Sequence, residues 1–326
     1  MRKVAVLIPC LNEELTVGRV VRNFRAELPG ASIHVFDNAS TDGTSREALR
    51  AGAAVATEGC RGKGYVVQAM FQQVEADVYV LVDGDGTYPA AEVHALLEPI
   101  LRGDADMVVG SRLRASGSEF RRLNRVGNRL FACVVNALFR ARVTDVLSGF
   151  RAIRRSLVRG VALSSGGFAI ESELTIKALE HGYRVVEVPT VLHARPAGCP
   201  SKLRRFRDGL CILGTILTLA GAYRPLTLFG VSGLALLLTG VGAGVAAVAP
   251  VTGSPAWPLV VLAGGLSLSG MLAVSVGLVL NALNHRLREL ASLLHRTTPI
   301  RHDAGWRSHV RQLTGPAANR LRQSPP

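Results

Sequence analysis

The stretch YVLVDGDGTYP, Tyr79 to Pro89, decides how the rest of the chain is read. Val78 to Val82 is a short apolar run rich in β-branched residues, the pattern left by a strand buried in a parallel sheet. It breaks at once into Asp83-Gly84-Asp85-Gly86, two carboxylates two residues apart with a glycine after each. Carboxylate oxygens are the natural ligands of Mg²⁺ or Mn²⁺, and Mg²⁺ is usually shared between one or two carboxylates and substrate phosphates. Glycine lacks Cβ, which lets a diphosphate approach the backbone closely. Asp-Gly is also a strong turn signal, so the flanking sequence has to decide between the two readings.

Upstream, Val4 to Ile8 reads as a buried strand ending at Pro9. CLNEELTVGRVVRNFRAEL then has helical spacing, with Asn12 as N-cap and Glu13 and Glu14 in the favourable first turn. Pro29-Gly30 stops that helix, and Ile33 to Phe36 is the next strand. The polar loop DNASTDGT, a helix from about Thr44 to Arg50, a strand at Ala53 to Ala56, the loop RGKG and a helix from about Tyr65 to Val74 lead back to the central strand. Downstream, ADMVVGSR is a strand ending at Ser111 and Arg112, TDVLSGFRAIRR a loop entering a strand, and FAIESELTIKALEHGYRVVEVP a helix followed by a strand. Strands alternating with helices predict an α/β fold with a mostly parallel sheet. Ligands bind beyond the carboxyl ends of such strands. Pro9 to Glu14, Asp37 to Thr44 and Asp83 to Tyr88 should therefore line one crevice.

The chain has 326 residues and a net charge of +14, unevenly spread. No charged residue occurs from Pro225 to Asn284, a gap holding two apolar runs, Leu226 to Ala249 and Leu259 to Leu283. Each exceeds the roughly 20 residues that cross a bilayer as a helix. The uncharged connector PVTGSPAWP between them has turn-forming residues and an interfacial Trp, so the region reads as a transmembrane hairpin. Gly240 with Gly244, and Gly265 with Ser269, have a small-xxx-small spacing suited to close helix approach. Residues 195–208 carry five Arg or Lys against one Asp, and 285–326 eight Arg against two acids. Both flanks are then cytoplasmic by the positive-inside rule, and the excess charge matches anionic headgroups rather than nucleic acid. Arg121, Arg122, Arg125 and Arg129 suggest a further headgroup-facing helix surface, and Leu210 to Tyr223 an interfacial or core helix. Five scattered cysteines form no CxxC pair, which suggests a reducing compartment. The N-terminus reads directly as a strand, so no signal peptide is expected.

In order, the motifs IPCLNEE, DNASTDGT, GKG, DGDGTYP, GSR, DVLSGFR, ESELTIKAL and RPAGCPSKLRRFRDG resemble the family 2 glycosyltransferases of GT-A fold. More narrowly they resemble membrane-anchored polyprenyl-phosphate glycosyltransferases, the group of the dolichyl-phosphate mannose synthases; Cys199 stands where that group commonly has serine. The resemblance implies that Pro9, Asn12, Glu14, Asp37, Lys63, Asp83, Asp85 and Arg112 hold a nucleotide-diphosphate sugar. Asp85, with Asp83 beside it, would hold Mg²⁺ or Mn²⁺. Asp145 would act with Asp85 as a catalytic residue, and Arg151, Arg195, Ser201 and Lys202 would grip a polyprenyl phosphate acceptor. Implied domains are a GT-A unit over 1–208, a juxtamembrane helix over 209–224, the hairpin over 225–284 and a basic tail over 285–326. The expected reaction is an inverting sugar transfer at the cytoplasmic face of the cell membrane; another lipid-linked or small acceptor is the alternative. A processive polysaccharide synthase would carry QxxRW and more spans, and a silent scaffold has no need of both carboxylates.

Overall fold

A computed structural model describes residues 3–112, 122–196, 205–248 and 257–297. Arg121, Cys199, Ser201, Lys202, most of the hairpin connector and the tail beyond Thr297 lie outside them. Seven strands form one sheet: β1 (Val4–Cys10), β2 (Ser32–Asp37), β3 (Ala54–Thr57), β4 (Val78–Leu81), β5 (Met107–Ser111), β6 (Arg151–Arg154) and β7 (Val185–Pro189), in the order β3-β2-β1-β4-β6-β5-β7. All pairs are parallel except those of β6, which runs antiparallel to both β4 and β5. The short loop from Asp145 to Phe150 is what brings β6 in reversed, so Arg151 pairs with Leu81 directly before the acidic turn.

β1 and β4 are apolar throughout because both sheet faces are covered. On one face Val6, Ile8 and Val80 pack with Phe24 of α1 (Val17–Glu27) and with Leu96 and Ile100 of α4 (Val93–Arg102). On the other, Leu7 and Leu81 pack with Met70 of α3 (Lys63–Gln73), Leu157 of α6 (Arg155–Gly160) and Leu174 of α7 (Ile170–Glu180). Between β2 and β3 runs α2 (Thr44–Arg50). A third apolar cluster joins Val135 and Phe139 of α5 (Arg122–Phe139), Ile176, and Ile212 and Ile216 of α8 (Arg205–Tyr223). Leu210 and Phe206 remain exposed on the other side of α8.

The first helix starts later than its spacing suggests. Asn12 is not its N-cap: it sits at φ 51° in the loop, and helix α1 begins at Val17 after Thr16. The reason is competition from the next loop. The Glu13 amide donates to Thr44 Oγ1 (2.8 Å) and the Glu14 amide to Asp42 Oδ2 (3.2 Å), which draws both residues out of helical register. Thr16 then donates its hydroxyl to Gly84 O (2.7 Å), tying the helix start to the acidic turn.

Beyond α8, Arg224 alone separates Tyr223 from α9 (Pro225–Val248), and α10 (Trp257–Thr297) returns against it. Pro225–Val248 and Trp257–Leu287 are long and apolar enough to cross a membrane. The two helices meet along Gly233, Gly240 and Ala247 on one side and Ala263, Gly270 and Gly277 on the other, all buried. A Cβ on Gly233 would lie 2.8 Å from Gly270 O, and one on Gly270 2.7 Å from Gly233 O. The seam therefore repeats every seven residues, as in coiled-coil packing. Of the small residues picked out by four-residue spacing only Gly240 is pressed this way; Gly265 faces open space and Gly244 meets Ala263 at an ordinary 3.6 Å.

Candidate active site

Three loops that follow the carboxyl ends of β1, β2 and β4 are sewn together by their own polar side chains. Asn12 receives the Thr41 amide on Oδ1 (2.8 Å) and gives its own amide to Ser40 Oγ (2.8 Å). Glu14 accepts the Gly43 amide (2.9 Å) and pairs with Arg46 (3.2 Å). Asp37, buried, accepts the Ser40 amide (2.9 Å) and the Ser45 hydroxyl. Pro9 lies next to Phe36 in the β1–β2 register, on the floor of this wall. Asn38 carries the connection further: its Nδ2 donates to Cys60 O (2.7 Å) and its Oδ1 accepts the Gly62 amide (2.7 Å).

The GKG turn is pressed flat against residues 165 and 166. A Cβ on Gly62 would overlap Gly166 O, and one on Gly64 would overlap Ser165 O. Lys63 between them is thereby aimed inward, its Nζ 2.5 Å from Asp83 Oδ1 and 2.6 Å from Glu171 Oε1. Burial alone would raise the Asp83 carboxyl, but the Lys63 ammonium overrides that and holds it below the ordinary carboxylate range. The same two acids lift Lys63, against its burial, above the usual lysine range. Glu171 is a site residue that pattern reading left without a role. Pattern offers little signal for it, since Glu173 sits beside it in the same first turn, yet it is 4% exposed.

At the acidic turn Asp85 is buried at 4% exposure. Its Oδ1 accepts the Thr87 amide (3.1 Å) and the Thr87 hydroxyl (2.7 Å), while Oδ2 meets Arg195 Nη2 at 2.6 Å. The neighbouring glycines also permit close packing around the turn. A Cβ on Gly84 would overlap Cys10 Sγ, one on Gly149 would lie 2.5 Å from Asp83 Oδ2, and Gly86 turns the chain at φ 72°. They let β1 and the loop before β6 close on the turn and hold both carboxylates on the crevice. Among the described residues no group of three or more His, Cys, Asp or Glu gathers as a metal cage. Two carboxylates side by side on one turn instead suit a hard cation that takes its other ligands from phosphate and water.

The far side of the crevice is built from pairs. Arg112, after β5, forms a fork on Asp145: Nε to Oδ2 (2.8 Å), Nη2 to Oδ1 (2.8 Å), with its amide also on Oδ2 (2.9 Å). Asn128 of α5 adds a donor to Oδ1 (2.9 Å), a second residue without an expected role. Burial would raise the Asp145 carboxyl, and the Arg112 guanidinium outweighs it, leaving the carboxyl below its ordinary range. Asp145 is 1% exposed with both oxygens engaged, an arrangement that orients an arginine rather than one that accepts a proton. Arg151 departs from expectation: fully buried, it donates Nε to Ser148 O (2.8 Å), Nη1 to Thr175 Oγ1 (2.8 Å) and Nη2 to Val146 O (3.0 Å). At the start of β6, paired with Leu81, its side chain lies wholly in the interior with every one of these contacts inside the chain. Arg195 reaches the crevice, but on the carboxylate of Asp85.

Residues 5–161 match the glycosyl transferase family 2 domain. Over 245 residues the chain is 37% identical to glycosyltransferase AglJ of Haloferax volcanii, an alignment spanning 73% of this chain and 79% of that protein. It is 33% identical over 208 residues to the dolichyl-phosphate hexose transferase of the same organism, 64% of this chain and 90% of the other. Among solved structures, glucosyl-3-phosphoglycerate synthase from Mycobacterium tuberculosis, in complex with Mn²⁺, uridine diphosphate and phosphoglyceric acid, superimposes with a TM-score of 0.54 at 25% identity, covering 68% of this chain and 79% of that one. The sheet and its helices thus have the GT-A architecture.

Proposed function

The chain belongs to glycosyl transferase family 2, and on that premise we propose that it moves a sugar from a nucleoside diphosphate to a polyprenyl phosphate, with inversion. The observation that carries this reading is the meeting of the two charge sets. The acids at the end of β4 and the arginines that follow β5 and β7 share one crevice, joined by the Asp85–Arg195 contact. Pro9, Asn12, Glu14 and Asp37 frame the nucleotide. Lys63, braced by Glu171, fixes Asp83 and offers its ammonium to the diphosphate. Asp83 and Asp85 hold Mg²⁺ or Mn²⁺, which when bound acts as a Lewis acid on the diphosphate oxygens. Asp145 sets the plane of Arg112 against the phosphates, an arginine fork being suited to two oxygens at once.

In the transfer an acceptor phosphate oxygen forms a bond to the anomeric carbon as the bond from that carbon to the diphosphate breaks on the opposite face. The phosphate monoester has a second pKa near 6 and is already ionised at neutral pH, so the protein's task is to align it. Such alignment is worth about 7–11 kcal/mol in the best cases. The lipid acceptor is supported by the dolichyl-phosphate hexose transferase relative and by the two apolar helices. We take those helices to anchor the protein in the membrane as a hairpin over 225–284, following a catalytic unit over 1–208 and a juxtamembrane helix over 209–224. The basic flanks, the tail over 285–326 among them, are cytoplasmic. A cysteine introduced at residue 254 should then be labelled from outside the cell, and labelling from the inside alone would reverse the topology.

A phosphate-bearing small acceptor is the second reading, favoured by the likeness to glucosyl-3-phosphoglycerate synthase. One experiment separates the two. UDP- and GDP-sugars are offered with a short polyprenyl phosphate or with phosphoglyceric acid, and nucleoside diphosphate release is followed. Turnover with the lipid phosphate alone supports the main reading. Turnover with phosphoglyceric acid alone replaces it with the second, and turnover with neither overturns both.

A further inference from the structure

The segment after β7 is strapped across the acidic turn. The Thr190 amide donates to Ser111 O (3.1 Å), the Val191 amide to both Glu92 carboxylate oxygens (3.3 and 3.2 Å), and the His193 amide to Thr87 O (2.9 Å). The strap ends on Arg195, whose Nη2 lies 2.6 Å from Asp85 Oδ2. Oδ1 of the same carboxylate already accepts two hydrogen bonds from Thr87, its full lone-pair complement. Oδ2 is therefore the oxygen of Asp85 left for a metal ion, and the guanidinium stands on it. The side chains differ in access: Asp85 is 5% exposed, whereas Arg195 at 35% has solvent to swing into.

We propose that Arg195 is the built-in counter-ion of the cation site: it neutralises Asp85 until a divalent cation displaces it, and displacement releases the end of the strap. The inference rests on the reading of Asp83 and Asp85 as cation ligands. A buried carboxylate left without a counter-charge is strongly destabilising, so a resident cation keeps the site formed before the donor arrives. Two cations on one carboxylate oxygen repel each other directly, so a metal ion on Oδ2 weakens the hold of Asp85 on Arg195. Arg195 becomes available to an acceptor phosphate only after it leaves Asp85. On this reading the cation reaches Asp85 before Arg195 turns toward an acceptor phosphate. Glu92 and Thr87 O keep the strap's near end in place, so the released arginine stays beside the crevice.

The test uses the full chain in detergent without nucleotide. Mn²⁺ affinity is measured by electron paramagnetic resonance for wild type, Arg195→Gln, Arg195→Lys and Asp85→Asn, and amide exchange over residues 191–196 is followed with and without Mn²⁺. Loss of the competing charge should tighten Mn²⁺ binding in Arg195→Gln about 10-fold, the scale on which one opposite charge shifts a carboxylate's proton affinity, while Arg195→Lys stays near wild type. In wild type, Mn²⁺ should speed exchange of amides near Arg195. Equal Mn²⁺ affinity in wild type and Arg195→Gln, with binding lost in Asp85→Asn, overturns the inference and leaves the cation reading standing. No Mn²⁺ binding to any form removes the cation reading and the inference with it. Should Arg195→Gln not fold, the wild-type exchange decides alone: unchanged exchange under saturating Mn²⁺ overturns the proposal.

Discussion

The two walls of the crevice handle charge in opposite ways. On the β1–β2–β4 wall the acids lie in loops that directly follow strands, and they are held by neighbours that are mostly local: Thr87 for Asp85, Ser40 and Ser45 for Asp37. On the β5–β7 wall the cations come from distant loops, and each is met by an acid from another segment: Asp145 for Arg112, Asp85 for Arg195. The first wall is a set of carboxylates with one strong buried counter-charge, Lys63. The second is a set of arginines already spoken for. A list of basic residues therefore says little about which of them can meet a phosphate. Their partners decide it.

From that contrast, the largest single effect belongs to the first wall. Asp85→Asn keeps the size and the Thr87 hydrogen bond acceptor but removes the charge. A cation that stabilises charge in the transition state supplies several kcal/mol, so turnover should fall by roughly three orders of magnitude or more. Rates near wild type for Asp85→Asn, or full turnover in excess EDTA, would break the assignment.

A smaller effect is expected from Asp145, and its pH behaviour separates an orienting carboxylate from a base. With its carboxyl held below the ordinary range by Arg112, it is a weak base, poorly matched to a phosphate whose second pKa is near 6. The sign for stability runs the same way. The ionised pair stabilises the fold above the unfolded carboxylate pKa of about 4, and that contribution is lost as pH falls through the depressed folded value. Across pH 5 to 9 the residue should stay charged. Asp145→Asn should lower kcat/KM about 10–100-fold, or about 1.4–2.7 kcal/mol, at every pH in that window. The acid limb near pH 6 belongs to the acceptor and should persist in the variant. Disappearance of that limb would make Asp145 a base after all.

Most of the first wall was legible in the sequence because strand ends, turns and acids occur there as contiguous motifs. A buried strand followed by DGDG needs no distant partner to be recognised, and the alternation of strands and helices predicted the mostly parallel sheet. The N-cap at Asn12 was misread because the donors and acceptors that displace it, Asp42 and Thr44, lie some thirty residues away. The reversed strand β6 left no trace in local pattern, since a short antiparallel strand and a short parallel one bury the same residues. Glu171 was hidden for a related reason. An acid near a helix start has a ready local explanation in the helix dipole, and only the fold brings Lys63 onto it. The seven-residue seam of the hairpin was present in the sequence, but several overlapping small-residue spacings compete there and packing alone selects one.

Arg151 carries the smallest expected effect on turnover and the sharpest lesson. In the motif DVLSGFR it reads as a phosphate ligand, but its guanidinium donates to Ser148 O, Thr175 Oγ1, Val146 O and, at 3.8 Å, Met107 Sδ, all inside the chain. Burial pushes its guanidinium pKa down, and Glu171 and Asp145 push back; an arginine stays protonated regardless. Its work is then to tie the loop that carries Asp145 to helix α7, which carries Glu171. Arg151→Met keeps much of the volume and strands three buried acceptors. Each costs about 1–3 kcal/mol when left unpaired, and the relief of not burying a charge offsets part of that. A net loss of about 3 kcal/mol is the reasonable expectation, which for a domain of this size corresponds to a drop in Tm of roughly 6–12 °C. Below the new transition the variant should bind acceptor with a KM within about twofold of wild type, where loss of a true phosphate contact would cost about 1.5–3 kcal/mol, or more than tenfold. A stable variant with a large rise in acceptor KM would put Arg151 back on the second wall and would mean that the loop from Asp145 to Phe150 opens during turnover.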